Sequence, residues 1–518
     1  MQIVWFKRDL RAARHAALAA AAAHGPVLGL YVREPSLWSA PDASARQWGF
    51  VRESLQSLRA ELAALGVPLL VTTAELLPVL TRLHAGIGIA GLWAHEETGN
   101  AQSYARDIAV AGWCREQGIA FRECRQFGVI RGLRGRRHHD WAGAWERFMA
   151  APLPATMPAQ DAPVLPALGL PAAPLAWREP DIAGRQPGGR AAGLAALDDF
   201  LSRRVPAYRR GMSSPLTAGS ACSRLSPYLA WGCLSMAEVD QATGAAIAGE
   251  EALPPPLRTP GRLASLRAFR ERLAWHCHFI QKLETAPELE MHNMHRGFDG
   301  LREDAFRADW CAAWARGETG WPLVDACMKS LIATGWLNFR MRAMLMSVAA
   351  YPLWLHWREP AQVLARLFTD YEPGIHYAQA QMQSGVTGIN AMRVYHPTKQ
   401  ARDQDPDGHF IRHWLPALAA VPASFLAEPW RMPRPLQEKC GMVLGRDYPE
   451  PLTDLDSALR TAKARMAERR AALAGSAETR RVLDRLGSRR RSRADRAAAS
   501  PGPRRQSPAL PPQLSLEW

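Results

Sequence analysis

Thr319-Gly320-Trp321-Pro322-Leu323-Val324-Asp325-Ala326-Cys327-Met328, running on to Thr334-Gly335-Trp336, is the stretch on which the reading of this 518-residue chain turns. It lies within residues 191–460, where Trp, Leu and Met recur at three- and four-residue spacings with almost no strand signal. That is the period of helices that each bury one face. The region reads as an all-α domain.

Toward the N-terminus the period changes. Residues 1–150 alternate short β-rich runs with amphipathic stretches. Ile3–Lys7, Val27–Val32, Leu69–Thr72 and Gly91–Ala94 read as buried parallel strands, with helices over 44–65 and 101–117 between them. Together they predict an α/β domain built on a doubly wound parallel sheet. Residues 151–190 fill with Pro, Ala and Gly, hold no periodic apolar face, and read as an interdomain linker. The basic segment 461–518, with Arg489-Arg490-Arg491 leading into Pro501-Gly502-Pro503, reads as a disordered, solvated tail.

The net charge of +15 is uneven: from residue 460 onward there are fifteen Lys/Arg against five Asp/Glu, so +10 of the excess sits in the tail. The remaining +5 makes the folded part mildly basic and compatible with a polyanionic partner. The eight cysteines (114, 124, 222, 233, 277, 311, 327 and 440) form no C-x-x-C pair, so reduced thiols and no metal site are expected. His276-Cys277-His278 does not alter this, because successive helical residues point about 100° apart and cannot readily converge on one ion. No apolar run suits a membrane span and the first residues lack a signal-peptide core, which predicts a cytoplasmic protein, expected to be monomeric.

Several separated motifs, in order, carry a resemblance that spans about 450 residues. Beside the Thr319–Trp336 stretch stand Trp5-Phe6-Lys7-Arg8-Asp9-Leu10-Arg11, Ser223-Arg224-Leu225-Ser226-Pro227-Tyr228-Leu229, Arg393-Val394-Tyr395-His396-Pro397 and Phe410-Ile411-Arg412-His413-Trp414-Leu415-Pro416. The chain resembles the photolyase/cryptochrome family. The resemblance implies an N-terminal antenna-type domain, an all-helical FAD-binding domain, and blue-light chemistry.

A flavin needs polar groups for its pyrophosphate, apolar walls for its ring, and a tuning group at the ring edge. The segment Cys222, Ser223, Arg224, Leu225 and Ser226 has the small, hydroxyl-rich character that suits phosphates, and the resemblance adds Tyr208. The resemblance also places Arg340 against the isoalloxazine, with Arg342 on the same helix and Asp370 as the complement of Arg340. Phe368 stands where a second acid is usual. Gly374 falls where common photolyases carry an Asn near flavin N5, and Ala378 and Ala380 fall on their flavin-proximal and lesion-stacking tryptophans. The usual tryptophan relay is thus broken at its first step. Trp357 matches its middle member, and Trp336, Trp354 or Tyr377 offer another route.

On the substrate side Trp275 matches a helical tryptophan of the lesion pocket. Arg272 replaces the glutamate three residues before it, Phe339 an asparagine and Ala343 a methionine. His276 is a further wall candidate. The expected function is light-driven repair of pyrimidine dimers in UV-damaged DNA, cyclobutane dimers favoured, by a deoxyribodipyrimidine photolyase. The alternative is a cryptochrome-like blue-light photoreceptor without repair activity. An antenna chromophore, folate or deazaflavin, would sit in the N-terminal domain; Arg14-His15, where Asp-Asn is common, leaves the choice open, with Glu97 and Asn100 in the stretch corresponding to a folate-contacting segment.

Overall fold

The computed structural model describes residues 1–132, 141–170 and 180–487. Five parallel strands form one sheet in the order β3-β2-β1-β4-β5: β1 (Gln2–Trp5), β2 (Val27–Val32), β3 (Leu69–Thr72), β4 (Gly91–His95) and β5 (Ala120–Cys124). β1, β2 and β4 are buried along their whole length, which is why they read as unbroken apolar runs. β5, Ala-Phe-Arg-Glu-Cys, escapes that reading because it is a partly exposed edge strand with two charged residues. The helices Ala45–Ala63 and Ala101–Glu116 fall where expected. Two more, Ala16–Ala22 and Leu76–Ile87, complete the crossovers.

The second region is helical throughout, and the Thr319–Trp336 stretch lies at its centre. Pro322 opens the helix Pro322–Thr334 at its first position, where its missing N–H costs nothing, and Gly335 ends it at φ +69. Asp325 turns back on the turn that precedes the helix. Its carboxylate accepts the Thr319 N–H at 2.8 Å, the Thr319 hydroxyl at 2.7 Å, the Gly320 N–H at 3.0 Å and the Tyr448 hydroxyl at 2.6 Å. Gly320 sits at φ +77, where a Cβ would lie 2.4 Å from the Pro451 nitrogen. One buried carboxylate therefore ties the central helix to a loop more than a hundred residues away.

The α/β domain ends the helices of its neighbour. Arg46 donates to the carbonyls of Leu331, Ile332 and Leu367, and Gln47 to those of Ala365 and Phe368, all at the C-terminal ends of helices, where carbonyls run short of intrahelical partners. In return Trp231 stacks on Trp38 at 6.0 Å and lies 4.4 Å beneath the Arg8 guanidinium. Gly232, at φ +64, lets the two backbones come close: a Cβ there would lie 2.2 Å from the Arg8 carbonyl oxygen.

The linker and the tail compare differently with expectation. The connection after residue 150 has no regular element over 151–170 and 180–189, yet it is strapped down: Gln160 bonds Val27 and Gly66, and Arg185 pairs with Glu53 and Asp181. Residues 171–179 lie outside the described residues. The segment read as tail from 461 is helical instead, within Leu455–Leu473 and Ala477–Leu486. Leu455, Leu459, Ala462 and Met466 enter the main core, and Val482 and Leu486 pack with Leu283 and Leu289. Those sparse apolar residues keep helical spacing within an otherwise Arg- and Ala-rich sequence. The reading of 488–518 as disordered falls outside the described residues. Among the described residues no helix is long and apolar enough to cross a membrane.

Asp325→Ala strands three polar groups and the Tyr448 hydroxyl in a dry interior. The expected loss is about 3–5 kcal/mol of unfolding free energy in urea titration, with Tyr448→Phe costing about 1.5–3 kcal/mol.

Candidate functional site

A cavity of about 340 Å³ opens between four helical segments: Val205–Gly211 with the turn after it, Arg262–Thr285, Phe339–Ala350 and Pro373–Ser384. One wall is Tyr208 with Cys222, Ser223, Arg224, Leu225 and Ser226. The Arg262–Thr285 helix contributes Arg272, Trp275 and His276; Trp336, Phe339, Arg340 and Arg342 come from the opposite side; Asp370 and Ala380 close the end. Sequence reasoning thus converges on one place from separate parts of the chain. Trp354, Trp357, Gly374, Tyr377 and Ala378 are the selected residues that do not line it.

Gly374 has a different reason to be glycine. A Cβ there would lie 2.6 Å from the Ile280 Cα, so the helices Pro373–Ser384 and Arg262–Thr285 meet backbone to backbone. Trp357 is wholly buried behind the cavity, its indole N–H donating to Asn293 at 2.8 Å.

The expected Arg340–Asp370 pair is not formed. Asp370 is held instead by Arg342, through two hydrogen bonds of 3.0 and 2.7 Å. Arg342 also donates from Nε to the Leu337 carbonyl at 2.6 Å, and its guanidinium lies 4.0 Å over the Phe368 ring. Phe368, in place of an acid, gives the cation a flat face to rest on. The reason for the correction is helical geometry: residues two apart point to well-separated faces, so only one of 340 and 342 can reach Asp370. Arg340 lines the cavity with a buried Nε that has no hydrogen-bond partner within the protein.

Arg224 is held in the left-handed region at φ +58, a costly conformation for a side-chain-bearing residue. It is fixed by exchange with Gln186, donating at 3.0 Å and accepting on its carbonyl at 2.9 Å, while its guanidinium covers Trp336 at 3.9 Å. Burial pushes its pKa down to about 10, against the pull of the Asp370 carboxylate. Burial likewise raises Tyr208 to about 12 and lowers His276 to about 4, so at neutral pH the imidazole is uncharged.

Among the wall residues that escaped sequence reading are Tyr371, Glu372 and His376. They follow Asp370 directly at the start of the Pro373–Ser384 helix, and only their burial marks them. Desolvation lifts the Glu372 carboxyl to about 7 against the nearby Arg8, and drops His376 to about 4, with its Nε2 2.7 Å from the Ala361 carbonyl.

The walls fit a ligand with polar and aromatic parts. Buried Arg340 Nε, His276 Nδ1, Asn338 Oδ1 and Gln383 Oε1 all lack hydrogen-bond partners within the protein, and all belong to residues that line the cavity. Such groups are costly unless something pairs with them. Tyr208, Arg342, Asp370 and the Cys222–Ser226 segment would hold FAD there.

A second, smaller cleft of about 110 Å³ lies at the carboxyl ends of β1, β2 and β4, where open parallel sheets commonly bind ligands. Glu97 and Asn100 line it. His15 does not: its Nδ1 accepts the Leu18 N–H at 3.0 Å and caps the first helix, so its Nε2 carries the proton donated to Asp9 at 2.9 Å.

Residues 269–468 match the FAD binding domain of DNA photolyase, and residues 2–130 match the DNA photolyase domain. The chain is 29% identical to a deoxyribodipyrimidine photo-lyase of Salmonella typhimurium over 87% of its own length and 95% of that protein's. It is 28% identical to a cryptochrome DASH of Gloeobacter violaceus over 88% and 93% of the two lengths. A class III photolyase from Agrobacterium tumefaciens superposes with a TM-score of 0.74 at 26% identity, covering 90% of this chain and 97% of the other. With both domains matched, and the helical one carrying a cavity suited to FAD, the chain belongs to the photolyase/cryptochrome family.

Proposed function

We propose that the protein repairs pyrimidine dimers in UV-damaged DNA, with cyclobutane dimers as the favoured lesion. The observation that carries this reading is that one cavity is lined both by polar groups suited to FAD, the Cys222–Ser226 segment, Arg342 and Asp370, and by the aromatic rings of Trp275, Phe279 and Phe339. Bound FAD in its reduced form supplies the light-driven electron that splits the cyclobutane ring and is then returned.

The protein's part is to position. Exposed basic side chains of the Val205–Gly211 helix, Arg209 and Arg210, would meet phosphates, which orient the strand without reading sequence. A dimer that stacks poorly in its helix leaves it at reduced cost and enters the cavity, as targets of base-modifying enzymes do. Trp275 offers it a stacking face. Arg272 and His276 stand beside that face; neutral His276 keeps a free nitrogen for a hydrogen bond without adding charge. The Arg342–Asp370 pair holds the opposite end fixed. The smaller cleft would hold the antenna chromophore, folate or deazaflavin.

A photoreceptor without repair activity is the second reading. Its support is that cryptochrome relatives match at nearly the same identity and coverage as photo-lyases.

The deciding experiment is blue-light repair of cyclobutane and (6-4) lesions, in single- and double-stranded oligonucleotides, by flavin-reduced protein with a dark control. Light-dependent restoration of the cyclobutane dimer is expected. No repair of any lesion by fully reduced, flavin-loaded protein transfers the assignment to the photoreceptor. Trp275→Ala is expected to weaken lesion binding by roughly 1–3 kcal/mol, the worth of one aromatic stacking face, read by fluorescence anisotropy. Arg342→Ala strands Asp370 and is expected to cost about 3–5 kcal/mol, read as lowered thermal stability and loss of FAD on gel filtration. Arg342→Lys should not restore either, since an ammonium cannot reproduce the two-pronged bond.

A further inference from the structure

We propose that Tyr371 is the electron donor that reduces the bound flavin in the light, with Asp42 receiving its phenolic proton and Tyr377 sharing the radical. This rests on the flavin reading of the larger cavity, not on DNA repair.

Among the described residues, Tyr371 is the one that lines both the flavin cavity and the smaller cleft. Its hydroxyl donates to Asp42 Oδ2 at 2.8 Å and lies 3.1 Å from the Tyr377 hydroxyl. Because the single Tyr371 hydrogen points at Asp42, Tyr377 is the donor in the second contact, and the proton order runs Tyr377 to Tyr371 to Asp42. The two rings are 6.5 Å apart, and Trp357 lies a further 6.4 Å beyond Tyr377.

A phenol that loses an electron becomes a strong acid, so its oxidation is eased by a base already within hydrogen-bond reach. Asp42 is that base. It also accepts from Asn100 at 3.0 Å and faces the cleft, which gives the proton a way to solvent. Burial and the Asp42 charge hold the Tyr371 phenol well above its usual pKa, so it waits in the protonated form. Of the two indoles that line the cavity, Trp336 is less suited: it lies 3.9 Å beneath the Arg224 guanidinium, which disfavours a positive charge on the ring. Ala378 and Ala380 contribute no ring at all.

The balance is complete. Tyr371 loses one electron to photoexcited oxidised flavin; its O–H bond breaks and an O–H bond forms on Asp42. Tyr377 then passes an electron and its proton to Tyr371, which regains its phenol. The proton on Asp42 leaves through the cleft, and a thiol reductant reaching Tyr371 from that side returns one electron and one proton to the pair.

The test uses the full FAD-loaded chain, oxidised, illuminated with blue light in the presence of a thiol, and followed by flavin bleaching and by EPR of freeze-quenched samples. The wild type should give a neutral tyrosyl signal. Tyr371→Phe should remove that signal and slow bleaching. Asp42→Asn should slow bleaching roughly 10²-fold, the lower end of what a positioned base contributes, and abolish the slowing that D₂O is expected to cause in the wild type. FAD content is measured in each variant. If Tyr371→Phe sheds FAD, Asp42→Asn, which lies outside the flavin cavity, decides. An indole radical alone in the wild type, or wild-type bleaching in Asp42→Asn, overturns the proposal. Repair by chemically reduced wild type is scored separately: its failure defeats the repair reading and leaves the assignment of Tyr371 intact.

Discussion

The site depends on two helices lying at backbone contact. Gly374 allows Pro373–Ser384 to settle on Arg262–Thr285 at Ile280, and any side chain at 374 would force them apart. Trp275 and His276 project from one of these helices, and Ala380 and Gln383 from the other. The residues just before Gly374, Asp370 through Glu372, are carried into the cavity wall by the same contact. A packing constraint, with no polar chemistry of its own, sets the spacing of everything that does chemistry. That is why a position where relatives hold a ring-contacting side chain can be glycine here without the cavity being lost.

The second constraint crosses the domains. Helix ends that face an interior need partners for their last carbonyls, and Arg46 and Gln47 provide them from the α/β domain. Arg8 does similar work at the cavity's edge, bonding the carbonyls of Ala230 and Tyr371 while lying over Trp231. The N-terminal domain is therefore part of the flavin site's frame, whether or not its own cleft carries a chromophore. Buried groups held from two sides cannot reorganise cheaply, and that pre-orientation is what a site for charge movement requires.

The sequence made the architecture legible because period carries burial: three of the four apolar runs lie in the middle of the sheet, the fourth, Leu69–Thr72, forming a half-buried edge strand, and helices with one apolar face pack in the second domain. It failed where that link weakens. β5 is an edge strand, and the last helices bury only one residue per turn among arginines. Residue identity within the site was legible through motif order, but partnership was not. Whether Arg340 or Arg342 reaches Asp370 depends on helix phase, and no local pattern fixes phase against a residue 28 or 30 positions away. Gly374 shows the same limit from the other side, since its meaning lies in Ile280. Tyr371 is an unremarkable tyrosine until its two cavities and Asp42 are seen together.

On the repair reading, the substitutions at the aromatic end alter how a lesion is recognised. The Trp275 face is flanked by Arg272 and neutral His276 rather than by a carboxylate, and Phe339 adds apolar area opposite. A carboxylate in such a place accepts hydrogen bonds from base edges and so reads them; a guanidinium donates and favours carbonyl oxygens or phosphate. Stacking faces tolerate any base. Recognition by this pocket then rests on the shape of a crosslinked pair and on carbonyl acceptors, both of which a flipped pyrimidine dimer presents. The exchange of Glu for Arg at position 272 is thus a change in the polarity of the contact and leaves the chemistry at the polar end, set by Arg342 and Asp370, untouched.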